Sequence, residues 1–192
     1  MIIGITGGTG SGKTTLLGMI QQAGGLILDC DAIYHEMLKT DSALLSAIDA
    51  RFPGCLEAGQ LQRKKLGTIV FADPQALADL NAITHKAIKE KVLSLLQPGL
   101  SAIDAISLFE SGLSDLCDVT VAVIADPALR VQRLMARDGI TEDYAKSRIA
   151  AQKDNAWFRK KCDYCLENNT TAEDFQKKSI VLLTQLGIIK EN

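Results

Sequence analysis

A chain of 192 residues, 47% hydrophobic and 23% charged, is long enough to bury one sizeable core, and its composition excludes the disordered, collagen-like and coiled-coil classes. A formal net charge of −2 offers no broad basic surface for nucleic acid or an anionic membrane. No apolar run reaches the ~20 residues needed to cross a bilayer.

The chain opens on Met1-Ile2-Ile3-Gly4-Ile5-Thr6, a β-branched run that predicts a strand buried on both faces. Without a basic region or a small-residue cleavage site, this segment is not read as a signal peptide. A glycine-rich loop leads into a predicted helix at 14–22, which Gly24-Gly25 ends. A short strand at 26–28 closes on Asp29-Cys30-Asp31, completing one βαβ unit with a right-handed crossover. From 32 to about 98 the pattern is helical, broken at Phe52-Pro53-Gly54 and Asp73-Pro74. That stretch is too long for a simple crossover and predicts a helical insertion that binds a substrate. Strands are expected at 101–109 and 119–125, and helices at 128–137 and 141–153. A last strand at 164–167 and an amphipathic helix at 174–186 close the chain. Alternating strands and helices predict an α/β fold with a parallel sheet covered on both faces, its ligands beyond the carboxyl ends of the strands. Asp29, Asp31, Glu110 and Asp126 fall on that rim.

Gly7-Gly8-Thr9-Gly10-Ser11-Gly12-Lys13-Thr14 fits the phosphate-loop pattern G-x-x-x-x-G-K-[ST] at every fixed position, between a predicted strand and a predicted helix. The glycines let successive backbone N–H groups face phosphate oxygens, and the helix start adds its positive dipole end. Lys13 would reach the β and γ phosphates, and the Thr14 hydroxyl would ligate Mg²⁺. ATP with Mg²⁺ is thus expected on Gly10, Ser11, Gly12, Lys13, Thr14 and Thr15. No guanine-reading N-K-x-D segment is present, nor an apolar strand ending in Asp-Glu, so a small-molecule kinase fits better than a GTPase switch or a mechanical ATPase.

A kinase needs a hydroxyl-activating base, an acceptor pocket and a cationic lid. Asp29 and Asp31 are the base candidates, and either could instead cap the helix expected from Ala32. Arg130, Arg133 and Arg137 lie along one predicted helix, followed by Arg148, Lys153, Arg159, Lys160 and Lys161. Of these Arg137, where the helix turns at Asp138-Gly139, is the leading phosphate clamp. The five cysteines are scattered and odd in number, which argues against a disulfide framework and for a reducing, cytoplasmic setting. Cys162 and Cys165 have C-x-x-C spacing, but neither a second pair nor a nearby histidine completes a zinc site, so they are read as thiols beside a buried strand.

Along nearly its whole length the chain resembles the dephospho-coenzyme A kinase family. The resemblance rests on the phosphate loop, Asp29-Cys30-Asp31, Leu61-Gln62-Arg63-Lys64-Lys65-Leu66, Asn81-Ala82-Ile83-Thr84-His85 and Leu108-Phe109-Glu110, with Arg133, Arg137, Arg148 and Gln152 at the lid positions and Asn168 resembling the family's late asparagine. It departs from the family pattern at Cys30, Lys86, Ile106 and Ser107. The resemblance implies a single P-loop kinase domain of three α/β/α layers around a five-stranded parallel sheet. Its core would be 1–34, 99–132 and 162–192, with an acceptor-binding insertion at 35–98 and a lid at 133–161. It also implies ATP-dependent phosphorylation of the ribose 3′-hydroxyl of dephospho-coenzyme A. Asp31 would act as base, Lys13 and Arg137 would stabilise the transferring group, and Arg63, His85 and Glu110 would join Asp31 around the acceptor. A small-molecule substrate is the expected partner, without nucleic acid or membrane, for a monomer or weak homo-oligomer. A P-loop kinase for another hydroxyl acceptor, such as a nucleoside or sugar acid, is the alternative.

Overall fold

In the computed structural model, which describes residues 1–190, strand β1 (Ile2–Thr6) runs through the glycine loop into helix α1 (Lys13–Gln22). Strand β2 (Leu26–Asp29) passes directly into α2 (Cys30–Thr40). Asp29 caps that helix by accepting from the Ala32 backbone N–H at 3.0 Å, so the helix begins at Cys30 rather than at Ala32. Helix α3 (Ser42–Arg51), a hairpin of β3 (Leu56–Glu57) and β4 (Gln60–Leu61), α4 (Arg63–Ala72) and α5 (Pro74–Leu95) follow. Asp41 and Asp73 cap α3 and α5, and Pro74 sits where a helix needs no N–H donor. The hairpin turns on Ala58 (φ 49°) and Gly59 (φ 76°), a left-handed pair not expected from the sequence.

The chain continues through β5 (Ser101–Asp104), β6 (Val119–Ile124), α6 (Pro127–Asp138), α7 (Glu142–Ala150), α8 (Asn155–Lys161), β7 (Tyr164–Glu167) and α9 (Ala172–Gln185). Five parallel strands form one sheet in the order β2-β5-β1-β6-β7, flanked by helices, which is the fold class the sequence implies. The strand expected over 101–109 stops at Asp104. Beyond it the Ala105 N–H makes a last bond to the Ile5 carbonyl at 3.1 Å, after which β1 enters the glycine loop and β2 has become α2, so no neighbour remains to pair. The backbone coils instead, with Ser111 N–H donating to the Ser107 carbonyl at 2.9 Å over a buried Leu108. Helix α7 ends at Ala150, short of the expected 153. The separate helix α8, capped by Asp154, was not expected at all.

The burial pattern explains the sheet's position. Ile3 and Ile5 of β1 pack with Val121 and Val123 of β6 under α1 and α9. Gly4, on the opposite face, leaves room for Leu108, which a Cβ there would meet at 2.7 Å. Each fully buried aliphatic side chain contributes about 1.5–3 kcal/mol relative to exposure. Segment α2–α5 has a core of its own, including Met37, Leu44, Ile48, Phe52, Leu66 and Val70, while the end of α5, through Ile88, Val92 and Leu95, packs on Leu28 of β2 and Ile103 of β5 and covers that face of the sheet. Cys162 and Cys165 pack against Ala122, Ile124 and Phe158, and burial raises both thiols, Cys162 to about 12. Among the described residues no helix is long and apolar enough to cross a membrane, and no three His, Cys, Asp or Glu side chains cluster as a metal site.

Candidate active site

The glycine loop lies where the sequence puts it, between β1 and α1. Gly7, Gly10 and Gly12 hold φ of 133°, 81° and 96°, values that disfavour any side chain. A Cβ on Gly7 would also lie 2.1 Å from the Val123 carbonyl oxygen. No side chain caps α1 at Gly12, which leaves the first-turn N–H groups for an anion. Lys13 donates to the Gly7 carbonyl at 3.0 Å, and its Nζ stands 3.9 Å from Asp104 Oδ1.

The loop lines a cavity of about 690 Å³ together with Asp31, Asp104, Ile106, Arg133, Arg137 and Arg148. Two of its buried oxygens, Ser11 Oγ and Asp104 Oδ1, have no hydrogen-bond partner. An orphaned polar atom facing a cavity is costly unless a ligand or solvent serves it. Asp104 is the last residue of β5, paired in register with both Ile5 and Asp29. Burial pushes its carboxyl up to about 6. Lys13 pulls the other way and loses, with Asp29 and Asp31 adding to the rise.

The two aspartates after β2 separate into different roles. Asp29 is spent as the helix cap. Asp31, exposed in the first turn of α2, lines the large cavity and also a second one of about 200 Å³. Tyr34, Asn81, Thr84, His85, Ile106 and Ser107 help line that second space. Burial lowers the pKa of His85, against an opposing pull from Glu110, so the imidazole is neutral near pH 7. Glu110 itself lies outside both cavities, its carboxylate 3.9 Å from Lys153 Nζ.

Arg63 starts α4 and contacts His35 Nδ1 at 2.8 Å, in a third cavity of about 620 Å³ lined also by Lys39, Gln60 and Leu61. Arg63 and His85 therefore do not share a pocket, although α2 borders both spaces through His35 on one side and Asp31 and Tyr34 on the other. Nothing in the sequence singled out Tyr34 or His35, because their importance comes only from which way α2 faces.

The basic helix divides in the same manner. Arg133 donates to the carbonyls of Gly10 at 3.3 Å and Asn168 at 3.0 Å, and buried Asn168 donates to the Ser11 carbonyl at 2.8 Å. Arg137 is held by Asp138 through contacts of 2.6 and 3.0 Å, and Arg148 reaches the same carboxylate at 2.9 Å. The two guanidiniums hold Asp138 down at about 2. Arg130, expected with them over the cavity, is buried instead beneath the loop, donating to the Thr9 carbonyl at 2.9 Å. A backbone cradle, the Ser11 hydroxyl, a lysine and three arginines can bind a polyphosphate. A carboxylate at the junction with a second pocket can meet an acceptor.

A sequence model of the family described as dephospho-CoA kinase matches residues 1–174. The chain is 35% identical to dephospho-CoA kinase of Geobacillus kaustophilus, over 100% of this chain and 99% of that one. It is 34% identical to the Corynebacterium diphtheriae dephospho-CoA kinase, over 92% of each. A crystal structure from Thermus thermophilus superposes with a TM-score of 0.79 at 32% identity, covering 97% of both chains. Dephospho-CoA kinase from Campylobacter jejuni, at 24% identity and 96% coverage of both chains, shares the fold with a TM-score of 0.66.

Proposed function

The chain belongs to the dephospho-CoA kinase family, and we propose that its phosphate cavity and the small pocket beside Asp31 are the two halves of one active site. The activity is ATP-dependent phosphorylation of dephospho-CoA in coenzyme A synthesis, with the ribose 3′-hydroxyl as acceptor. One observation carries the assignment of roles: Asp31 opens onto both cavities, so one carboxylate reaches the acceptor and the donor side together.

ATP binds with its phosphates on the N–H groups of residues 10–15. Lys13, now resting on the Gly7 carbonyl, turns to the phosphate oxygens when they arrive. Asp31 accepts the hydroxyl proton and fixes that oxygen toward the donor. Arg137, held beside the cavity by Asp138, meets charge that develops on the transferring group, and Arg133 and Arg148 add to that field. His85 and Tyr34 border the acceptor's nucleoside end, and Arg63 with His35 borders the next space along α2. Residues 35–98 serve as the acceptor-binding part and 133–161 as the lid.

The donor set also fits a hard divalent cation. Thr14 offers an exposed hydroxyl beside the loop, and Asp104 an unserved buried carboxylate oxygen 3.9 Å from Lys13 Nζ. Mg²⁺ held there supplies charge screening between the phosphates. Five free cysteines, two of them buried, fit a reducing cytoplasmic location.

The test is ADP release with ATP and Mg²⁺, comparing dephospho-CoA with adenosine, shikimate and gluconate as acceptors. Turnover confined to dephospho-CoA and lost in Asp31→Asn is expected. Turnover with another acceptor alone would overturn the substrate, and an active Asp31→Asn would overturn the base.

A further inference from the structure

Arg130 is 2% exposed, yet among the described residues no carboxylate forms an ion pair with it. Its hydrogen-bond partners are neutral. Nε donates to the Thr9 carbonyl at 2.9 Å and Nη2 to Gln152 Oε1 at 2.6 Å. The same Gln152 oxygen accepts from Thr9 N–H at 3.0 Å, and Gln152 Nε2 donates to Thr9 Oγ1 at 2.8 Å. Every polar atom of Thr9 is thus engaged by a guanidinium from α6 and an amide just past α7. The guanidinium lies so close under the loop that a Cβ on Gly8 would meet Nη2 at 2.1 Å. One turn along α6 is Arg133, which carries a charge of the same sign. Arg130 itself does not line the phosphate cavity.

A buried cation without an anion costs several kcal/mol of desolvation, and a fold keeps one where something repays it. The neutral partner is informative. A glutamate would fit the place of Gln152 and pair with Arg130, but it would cancel the charge. We propose that Arg130 is a buried positioning charge for the phosphate loop, braced on Thr9 by Gln152, and that its counter-anion is the polyphosphate of the bound nucleotide. The field acts through the Gly8–Thr9 backbone rather than by contact, and it acts on the donor side, leaving the acceptor pocket alone. The inference rests on the phosphate loop binding a nucleoside triphosphate and is independent of which acceptor is used.

The experiment measures binding of ATP and of inorganic tripolyphosphate by calorimetry, together with the denaturation midpoint of the ligand-free protein. Gln152→Glu keeps the size and the accepting Oε1, exchanges the Nε2 donor for an oxygen to which the Thr9 hydroxyl can donate in turn, and puts a carboxylate against Arg130. Arg130→Met removes the charge and keeps the stem. Both variants should bind ATP and tripolyphosphate at least about tenfold more weakly, on the order of 1.4 kcal/mol. Each should also show a smaller dependence of affinity on salt. The ligand-free Gln152→Glu protein should be as stable as wild type or more so, and its KM for the acceptor unchanged. A purely structural brace predicts the opposite pairing, in which affinity falls only where ligand-free stability falls. Wild-type affinity for tripolyphosphate in a folded Gln152→Glu protein would therefore overturn the inference. Wild-type protein that binds neither ATP nor tripolyphosphate would overturn the phosphate-loop reading beneath it.

Discussion

Asp104→Asn should make the ligand-free protein more stable at neutral pH while damaging the enzyme. In the folded chain this carboxyl is raised to about 6 from 3.8, chiefly by burial. A shift of about 2 units is worth about 3 kcal/mol, at ~1.36 kcal/mol per unit. The side chain is 19% exposed, so solvent screening removes only part of that figure. The sign follows from proton counting. Between about pH 4 and 6 the folded state holds a proton that the unfolded state has released, so stability falls as pH rises through this window and is level above it. Asparagine carries no such penalty. Urea unfolding in the presence of a chelator at pH 5, 6, 7 and 8 should therefore show Asp104→Asn gaining on wild type as pH rises. The gain should level off at about 1–3 kcal/mol above pH 7. A gap that stays flat across pH, or an Asp104→Asn protein that is less stable at pH 8 than wild type, would refute the reasoning. Turnover of the same variant should drop, because the negative charge that faces Lys13 and the proposed cation position is gone.

Asp31→Asn should lower kcat by several orders of magnitude while calorimetry shows near-normal ATP binding, since the exposed carboxylate supports no part of the fold. Gly12→Ala must accommodate a φ of 96° and a Cβ 2.2 Å from Asn168 Nδ2, and it breaks the tie to the Ser11 carbonyl. It should cost about 1–3 kcal/mol in urea unfolding and most ATP affinity, and a variant with native binding would count against this loop geometry. Asp138→Asn releases Arg137 and Arg148 from their shared carboxylate, so KM for ATP should rise several-fold with little change in melting temperature. An unchanged KM would remove Arg137 from the site. His85→Ala should raise KM for the acceptor more than it lowers kcat, and pH–rate profiles of wild type should show no histidine titration between pH 7 and 8, because burial lowers that pKa.

Much of the sheet and the donor loop was legible because both are local. A β-branched run before glycines can only be a buried strand, and residues 7–14 need their own backbone freedom more than any distant contact. Strand length was less legible. Residues 105–109 have strand-like composition, but pairing requires a neighbour, and β1 and β2 both leave the sheet at that level. The hairpin at 56–61 and helix α8 escaped for a related reason. Each is too short for periodicity, and each is set by one turn or one cap.

By itself the sequence determined a phosphate-binding loop, a parallel α/β frame and a short list of charged residues at strand ends and along one basic helix. Tertiary structure alone decided what each of those charges faces. Asp29 caps a helix while Asp31, two residues on, opens to two cavities. Arg137 borders the cavity while Arg130, two turns earlier, is buried under the loop against Thr9 and Gln152, the latter from another helix's end. The physical reason is that chemical type and spacing are properties of the chain, whereas desolvation and the identity of a partner 121 or 143 residues away exist only once the layers have packed.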